Sequence, residues 1–334
     1  MLPPLLTSPP PTLTDAQAAD LALRHFGIAG TLHRLTSERD LNIAVTTATA
    51  RYVLKLANPA EPADLTDFQT QALLHLAATN LPIPRVICTL TGQTAAITPH
   101  GTLRLLTYLD GTPQHATPKT AAQSRNLARM AAALTLGLQG FTHPAAHHAL
   151  QWDIKHAAQL RPLLPTITDP DLRALATRTL DRFDAEIAPT LATFRAQVVH
   201  NDLNPHNILT DPANPDTIAG ILDFGDMVHT PLICDVAITA SYQINPADPL
   251  QSLATFATAY HAILPLTRPE IQVLPDLIAT RMLTTLAITS ARAAAFPQNA
   301  PYILRNFASA RDGLCALAAL NRTNVQTALK SRLP

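Results

Sequence analysis

The sequence predicts an α+β protein of two lobes, a small β-sheet lobe with helix followed by a larger, mainly helical one. Three observations carry this expectation. Short β-branched or alternating runs follow one another between residues 30 and 57. After a break at 110–113 the apolar spacing turns helical. One polar segment, VVHNDLNPHNIL at 198–209, then interrupts those helices between two strand-like runs. A length of 334 residues exceeds what one compact core usually takes, and a hydrophobic content of 47% is ample for two lobes. The expected division is residues 1–108, a linker at 109–113, and residues 114–334.

Residues 1–13 read as an irregular, proline-rich lead-in. Thr14 with Gln17 forms a capping box that opens a helix, and Gly27 ends it. GTLHRLTS, LNIAVTTA and RYVLKLA are three strands. A helix from about Ala63 to Ala78 carries Leu65, Phe68, Ala72 and Leu76 on one face. The prolines of LPIPRVICTL stop that helix and start a strand, TLRLLTYL is another strand, and DGTP breaks the chain. In the larger lobe Thr117 with Pro118 starts a helix and Gly140 stops it. Asp169 with Pro170 starts the next, whose apolar face is Leu172, Ala176, Leu180, Phe183 and Ile187. AQVVH and IAGILDF are short strands, and helical spacing fills the remainder.

Composition excludes several classes. Net charge is zero and no basic block occurs, so neither a nucleic-acid footprint nor a polybasic membrane patch is expected. The opening MLPPLLTSPPPTLT is broken by proline and the first basic residue is Arg24, which argues against a secretory signal. The stretch Leu274–Phe296 is cut by Asp276, Arg281 and Arg292, so no membrane span is expected. Cys88, Cys234 and Cys315 are widely spaced and read as buried thiols of a cytoplasmic protein. The chain writes Arg where it needs a positive charge; its lysines are Lys55, Lys119, Lys155 and Lys330, so a lysine inside the strand RYVLKLA stands out.

The polar segment carries the chemistry. The order is strand, Asp202-x-x-x-x-Asn207, hairpin, then Asp223-Phe-Gly at the end of another apolar strand. Asn207 and Asp223 at strand ends offer oxygen ligands to a hard cation such as Mg²⁺. Asp202 beside them suits an acceptor for the proton of an attacking hydroxyl. Phosphoryl transfer needs this combination.

These motifs resemble the catalytic loop and metal-binding triplet of the protein-kinase-like superfamily. His200-Asn201-Asp202 is closer to the aminoglycoside phosphotransferase and choline kinase branch. VVHNDLNPHNIL with IAGILDFGDMVHTPLICDVAI is most similar to its hydroxylysine-kinase-type members. LTSERDLNIAV, RYVLKLANP and LRLLTYLDGTP are similar in the same way. The resemblance implies a bilobal kinase-like fold with residues 1–108 as the nucleotide-binding lobe and 114–334 as the catalytic and substrate-binding lobe. It implies a phosphotransferase that uses ATP or GTP with Mg²⁺.

The same resemblance assigns roles. Asp202 is the catalytic base or hydroxyl-orienting carboxylate, and Asn207 and Asp223 hold the metal. Lys55 meets the α/β-phosphates, Ser37 sits in the turn over them, and Leu105, Thr107 and Leu109 belong to the hinge that reads the base. Asp226 faces substrate and Asp235 braces the catalytic loop. Two departures from the kinase pattern stand out. The phosphate turn at 35–49 has no glycine, and the helix position that usually supplies a glutamate to the lysine is Gln69, with Asp67 and Glu61 nearby.

Several residues carry two readings at this stage. Trp152 and Asp153 line a substrate pocket or belong to the core. Arg281 clamps a substrate carboxylate or forms a buried ion pair, and Tyr242 shares that ambiguity. His200 reads as structural, His206 as solvent-facing, and His143, His147 and His148 as a surface loop without the acid or thiol that completes a metal site. The expected partners are a nucleotide and a small hydroxylated amine or amino acid of the hydroxylysine type. The alternatives are an aminoglycoside phosphotransferase, a choline- or homoserine-type kinase, a nucleotide-binding protein without catalysis, and a metal-dependent hydrolase using His200, Asp202 and His206. Few acids follow Tyr242 (Asp248, Glu270, Asp276 and Asp312), which disfavours a polycationic antibiotic as substrate.

Overall fold

The computed structural model describes residues 9–37 and 39–333, so most of the proline-rich lead-in and Glu38 of the segment LTSERDLN lie outside the described residues. Two compact units divide the chain. The first runs to Asp110 and takes in His143–Ala146 and Ala219–Gly225; the second comprises Gly111–Thr142, His147–Ile218 and the chain from Asp226 onward.

The first unit begins with α1 (Asp15–Phe26). Thr14 and Gln17 exchange the two bonds of the capping box, and Gly27 closes the helix at φ 69°. Then follow β1 (Thr31–Leu35), β2 (Leu41–Thr46), β3 (Arg51–Leu56), α2 (Ala63–His75), β4 (Val86–Ile87), β5 (Ala96–Thr98) and β6 (Gly101–Thr107). The antiparallel sheet has the order β1-β2-β3-β6-β4, with β5 also paired to β6. Alternation along the strands puts Ile43, Val45, Leu54, Leu56, Leu103 and Leu105 in one core with Ala18, Leu21, Ala22 and Phe26 of α1. Each of the larger side chains contributes about 1.5–3 kcal/mol by leaving water.

The residues between them share the opposite face. Asn42, Lys55 and Arg104 pair across β2, β3 and β6, and Arg104 reaches Thr66, Gln69 and Thr70 of α2. Strand β4 is shorter than LPIPRVICTL suggests. Pro82 and Pro84 have no N–H to give a ladder, so pairing starts only at Val86.

Beyond Gly111 the elements are β7 (Thr112–Pro113), α3 (Ala121–Gly137), α4 (Pro170–Arg182), β8 (Ala196–Val199), β9 (Ile208–Thr210), β10 (Ile218–Ile221), β11 (Val228–Pro231), α5 (Leu232–Ser241), α6 (Pro249–His261), α7 (Arg268–Ala295), α8 (Ala300–Ile303), α9 (Phe307–Ala318) and α10 (Arg322–Arg332). Within the second unit β7 pairs with β9 and β8 with β11, both antiparallel. Helix α3 starts at a Thr120 cap, later than the expected Thr117. The Thr117 hydroxyl donates to Gln114 O and accepts from Gln123 Nε2, which commits it to the preceding turn. The helix ends at Gly137, and Gly140 lies past it at φ 77°. Helix α4 starts at its Asp169 cap and buries Leu172, Ala176 and Leu180; Phe183 and Ile187 of the predicted face are buried in the π-helical turn that follows it.

Two expectations need correction. Helix α7 is long and apolar enough to cross a membrane, although Leu274–Phe296 was expected to fail that test. Its apolar stretch is instead buried in the second unit, against α5, α9 and α10. Buried Thr280, Thr284, Thr285 and Thr289 turn their hydroxyls onto carbonyls four residues back, which satisfies them inside the core. Of the three thiols only Cys234 is buried; Cys88 and Cys315 are exposed.

Candidate active site

In the first unit the expected partner of Lys55 is displaced. Lys55 Nζ lies 3.2 Å from Asp40 Oδ2, not against Gln69. Asp40 ends the turn between β1 and β2, and its Oδ1 accepts from Asn58 N at 3.2 Å. Asn58 Nδ2 in turn donates to Arg39 O at 2.9 Å, so the turn that carries half-buried Ser37 is tied to the chain just past β3. Gln69 is engaged elsewhere: its Nε2 donates to Glu61 Oε1 and its Oε1 accepts from Arg104 Nη2, both at 2.9 Å. An amide suits this place because it meets a carboxylate with its donor and a guanidinium with its acceptor. Burial, reinforced by the charge of Asp40, pushes the Glu61 carboxyl up, and burial lowers Arg104.

Asp223 is exposed at the end of β10, at φ 56°, and its Oδ1 accepts from Gly225 N at 3.1 Å. A Cβ on Gly225 would stand 3.0 Å from that Oδ1 and 3.1 Å from Arg39 Nη2, so glycine lets the carboxylate and the guanidinium close in. Asp223 and Asn201 are the two non-glycine residues at positive φ among the described residues, and they fall in the two motifs read from the sequence. Left-handed backbone at such residues is uncommon and concentrates where a site is held against local preference.

The hinge residues separate. Leu105 is fully buried in the α1-facing core, with its backbone between β3 and β4, so it is no hinge residue. Thr107 gives its N–H to Arg85 O and its hydroxyl accepts from Arg85 N. The pairing ends with Tyr108 N on Arg51 O, and half-buried Leu109 is the first residue past it. His143 also departs from the surface-loop reading: it stacks on Phe68 and lies 3.2 Å from the carboxylate of Asp67.

In the second unit the Asp202–Asn207 loop is held by its own amides. Asp202 Oδ2 accepts from Asn204 Nδ2 at 2.9 Å and from Asn207 Nδ2 at 2.8 Å, and Asn207 Nδ2 also donates to Asp202 O at 3.0 Å. With both amide hydrogens engaged, Asn207 keeps its carbonyl oxygen for a ligand. Buried His200 accepts from Asp202 N at its Nδ1, and Asp235 Oδ1 accepts from Asn201 N at 2.7 Å. Burial raises Asp235 to about 6, against the opposing pull of the Asn201 N–H and Arg281.

Arg281 on α7 is 2% exposed and points into this loop. Its Nη2 lies 3.1 Å from Asp202 Oδ1 and 3.1 Å from Tyr242 Oη, and its Nη1 donates to Trp152 O at 3.2 Å. The guanidinium stacks 5.0 Å over Trp152 and 5.8 Å over Tyr242. Of the two readings of Arg281, the buried ion pair is the one the geometry has. Buried Asp226 contributes to the field at Arg281. Asp153 faces inward, which corrects its assignment to substrate: its Oδ1 accepts from Thr230 Oγ1 and Lys155 N, and Lys155 Nζ is 3.0 Å from Oδ2. His206 is half-buried rather than solvent-facing; its ring packs at a tilt against His115, centroids 4.1 Å apart, and burial lowers it to about 4.

Among the described residues no group of three or more His, Cys, Asp or Glu is arranged to hold a metal, and His206 turned toward His115 leaves no His–Asp–His set for zinc. Asn207 and Asp223 are oxygen donors, of the kind Mg²⁺ takes alongside phosphate and water. Sequence reading missed Asp40, Arg104 and Asn204, and named Glu61 only as a neighbour of Gln69. A charged residue inside the apolar run LRLLTYL was the available signal for Arg104.

Comparison with known proteins adds four findings. A family model described as the phosphotransferase enzyme family matches residues 31–273. A hydroxylysine kinase of Mus musculus is 27% identical over 324 residues, covering 88% of this chain and 86% of its own length. A homoserine kinase of Methylobacillus flagellatus is 30% identical over 248 residues, covering 71% of this chain and 72% of its own. Among solved structures, an amicoumacin kinase bound to AMP-PNP and Ca²⁺ shares the fold, with a TM-score of 0.68 at 12% identity over 93% of this chain and 97% of that one.

Proposed function

The chain belongs to the phosphotransferase enzyme family, and from that premise we propose that it passes the γ-phosphoryl group of ATP or GTP to a hydroxyl of a small amine or amino acid, of the hydroxylysine type. The observation that carries this reading is the Asp202–Asn207 arrangement. One amide spends its donor on the carboxylate and keeps its oxygen for a ligand, so in this reading the same contact serves a proton acceptor and a metal ligand.

In this reading Asp202 orients the substrate hydroxyl and takes its proton as the oxygen attacks the γ-phosphorus. The bond from that phosphorus to the β,γ-bridging oxygen breaks, and the nucleoside diphosphate leaves with the electron pair. Lys55, steadied by Asp40, holds the α/β-phosphates, and the backbone from Leu109 onward meets the base. Asn207 and Asp223 are the residues that would hold Mg²⁺, which when bound offsets the charge on the phosphates. Asp226 and Trp152 lie on the substrate side. The amine or amino-acid acceptor follows the hydroxylysine and homoserine kinases among the relatives. Three cysteines without a disulfide suit a reducing cytoplasm as the compartment.

A nucleotide-consumption screen with Mg²⁺ against hydroxylated amino acids, amino alcohols and amino sugars tests the acceptor class. Hydroxylated amino acids are expected to score highest. In the Asp202→Asn variant kcat should fall about a thousandfold, while nucleotide affinity stays within about threefold because Asp202 meets the acceptor hydroxyl and not the nucleotide. Turnover retained in that variant removes Asp202 from its role.

A further inference from the structure

We propose that Arg281 is a positioning residue for Asp202, an inference that rests on Asp202 acting as the hydroxyl-orienting carboxylate. The two oxygens of that carboxylate are held from different places. Oδ2 is gripped by Asn204 and Asn207 of its own loop, and Oδ1 by Arg281, which arrives on α7 far along the chain. A carboxylate held at one oxygen swings about its Cβ–Cγ bond; held at both, it keeps a fixed plane. Fixed geometry matters here because a misplacement of about 1 Å at a reacting centre lowers the rate roughly a hundredfold.

The surroundings of Arg281 leave it little other purpose. At 2% exposure its guanidinium is closed to solvent, with one terminal nitrogen shared by Asp202 and Tyr242 and the other on the carbonyl of Trp152. Trp152 and Tyr242 set its plane through their rings. Its charge is balanced by acids around it: Asp202 and Asp226 favour its charged form, and Arg281 in turn opposes the burial penalty of Asp235. An arginine so placed would be a poor clamp for a substrate carboxylate, because that carboxylate would have to displace Asp202. A lysine would replace it only in part, since a point charge cannot span Asp202, Tyr242 and the Trp152 carbonyl in one plane.

Steady-state kinetics on Arg281→Met, Arg281→Lys and the double variant Asp202→Asn/Arg281→Met tests this, with nucleotide binding and thermal melting of each as controls for folding. For Arg281→Met, kcat should fall roughly a hundredfold with the KM of both substrates within about threefold of wild type. Arg281→Lys should recover part of that loss, and the double variant should be no slower than Asp202→Asn alone. A raised acceptor KM at unchanged kcat would make Arg281 a substrate clamp and overturn the proposal, as would multiplicative losses in the double variant. Should Arg281→Met fail to fold, Arg281→Lys decides alone: wild-type kcat in it overturns the proposal, and a lowered kcat at unchanged KM sustains it. A wild-type protein inert toward every alcohol would instead remove the proposed function, so the two failures read differently.

Discussion

Asp40 Oδ2 and Lys55 Nζ stand 3.2 Å apart, so the acid that steadies the strand lysine comes from the turn between β1 and β2 and not from helix α2. The β1–β2 turn and the strand lysine are therefore joined directly, with Asn58 tying the turn to the chain just past β3. Asp40→Asn should weaken nucleotide binding roughly tenfold, the size of one lost charge-assisted contact. Gln69→Ala should leave nucleotide affinity nearly unchanged and lower stability by about 2 kcal/mol, because Glu61 and Arg104 then lose their bridge. Calorimetric titration with nucleotide beside chemical denaturation separates the two effects. Equal losses of affinity in both variants would return Gln69 to the lysine.

Asn201 is a strained residue. It is fully buried at φ 64°, and neither Oδ1 nor Nδ2 has a partner. Glycine takes that backbone without steric cost and removes two unpaired polar atoms, each worth about 1–3 kcal/mol, which outweighs the roughly 0.5–1 kcal/mol of extra chain entropy it loses on folding. Asn201→Gly should therefore melt at a higher temperature than wild type. Asn201→Ala should melt below Asn201→Gly, because a left-handed alanine costs about 1–2 kcal/mol. Indistinguishable melting of the two variants would show that the backbone angle is not what sets the stability here.

Asp235 gives a pH signature of stability. Burial raises its pKa in the folded protein to about 6, above the unfolded value of 3.8. The unfolded chain thus releases its proton first as pH rises, so this residue's contribution is fully present below about pH 4 and is lost on the way to about pH 6. A shift of about two units corresponds to roughly 3 kcal/mol. Asp235→Asn keeps an acceptor for Asn201 N and should flatten that fall in urea unfolding measured from pH 4 to 7. An unchanged slope in the variant would assign the pH dependence to another group.

The parts of the site that the sequence displays are those whose meaning lies within a few residues. Asp202, Asn207 and Asp223 declare themselves by spacing, and Lys55 by being a lysine in an apolar strand of an arginine-rich chain. The capping box at Thr14, the Asp169 cap and the apolar face of α4 are likewise local. What stays hidden depends on partners distant along the chain. Nothing near Gln69 announces that its amide bridges Glu61 and Arg104, and nothing near Arg281 points to Asp202. Leu105 misleads because a hinge and the strand that leads to it share the same apolar pattern, and only the ladder partners reveal where pairing stops. His206 misleads because ring packing against His115 has no periodicity to betray it.

Helix α7 has a bearing on how the chain is made. Two of the helices that shield it, α9 and α10, are encoded after it, so a ribosome releases the apolar stretch Arg268–Ala295 before its cover exists. Until translation finishes, that stretch is an adhesive surface with the composition of a bilayer-inserting segment. Shortened versions ending near Phe296 would carry the same surface permanently. They should gather in inclusion bodies even though every residue of the two motifs is intact.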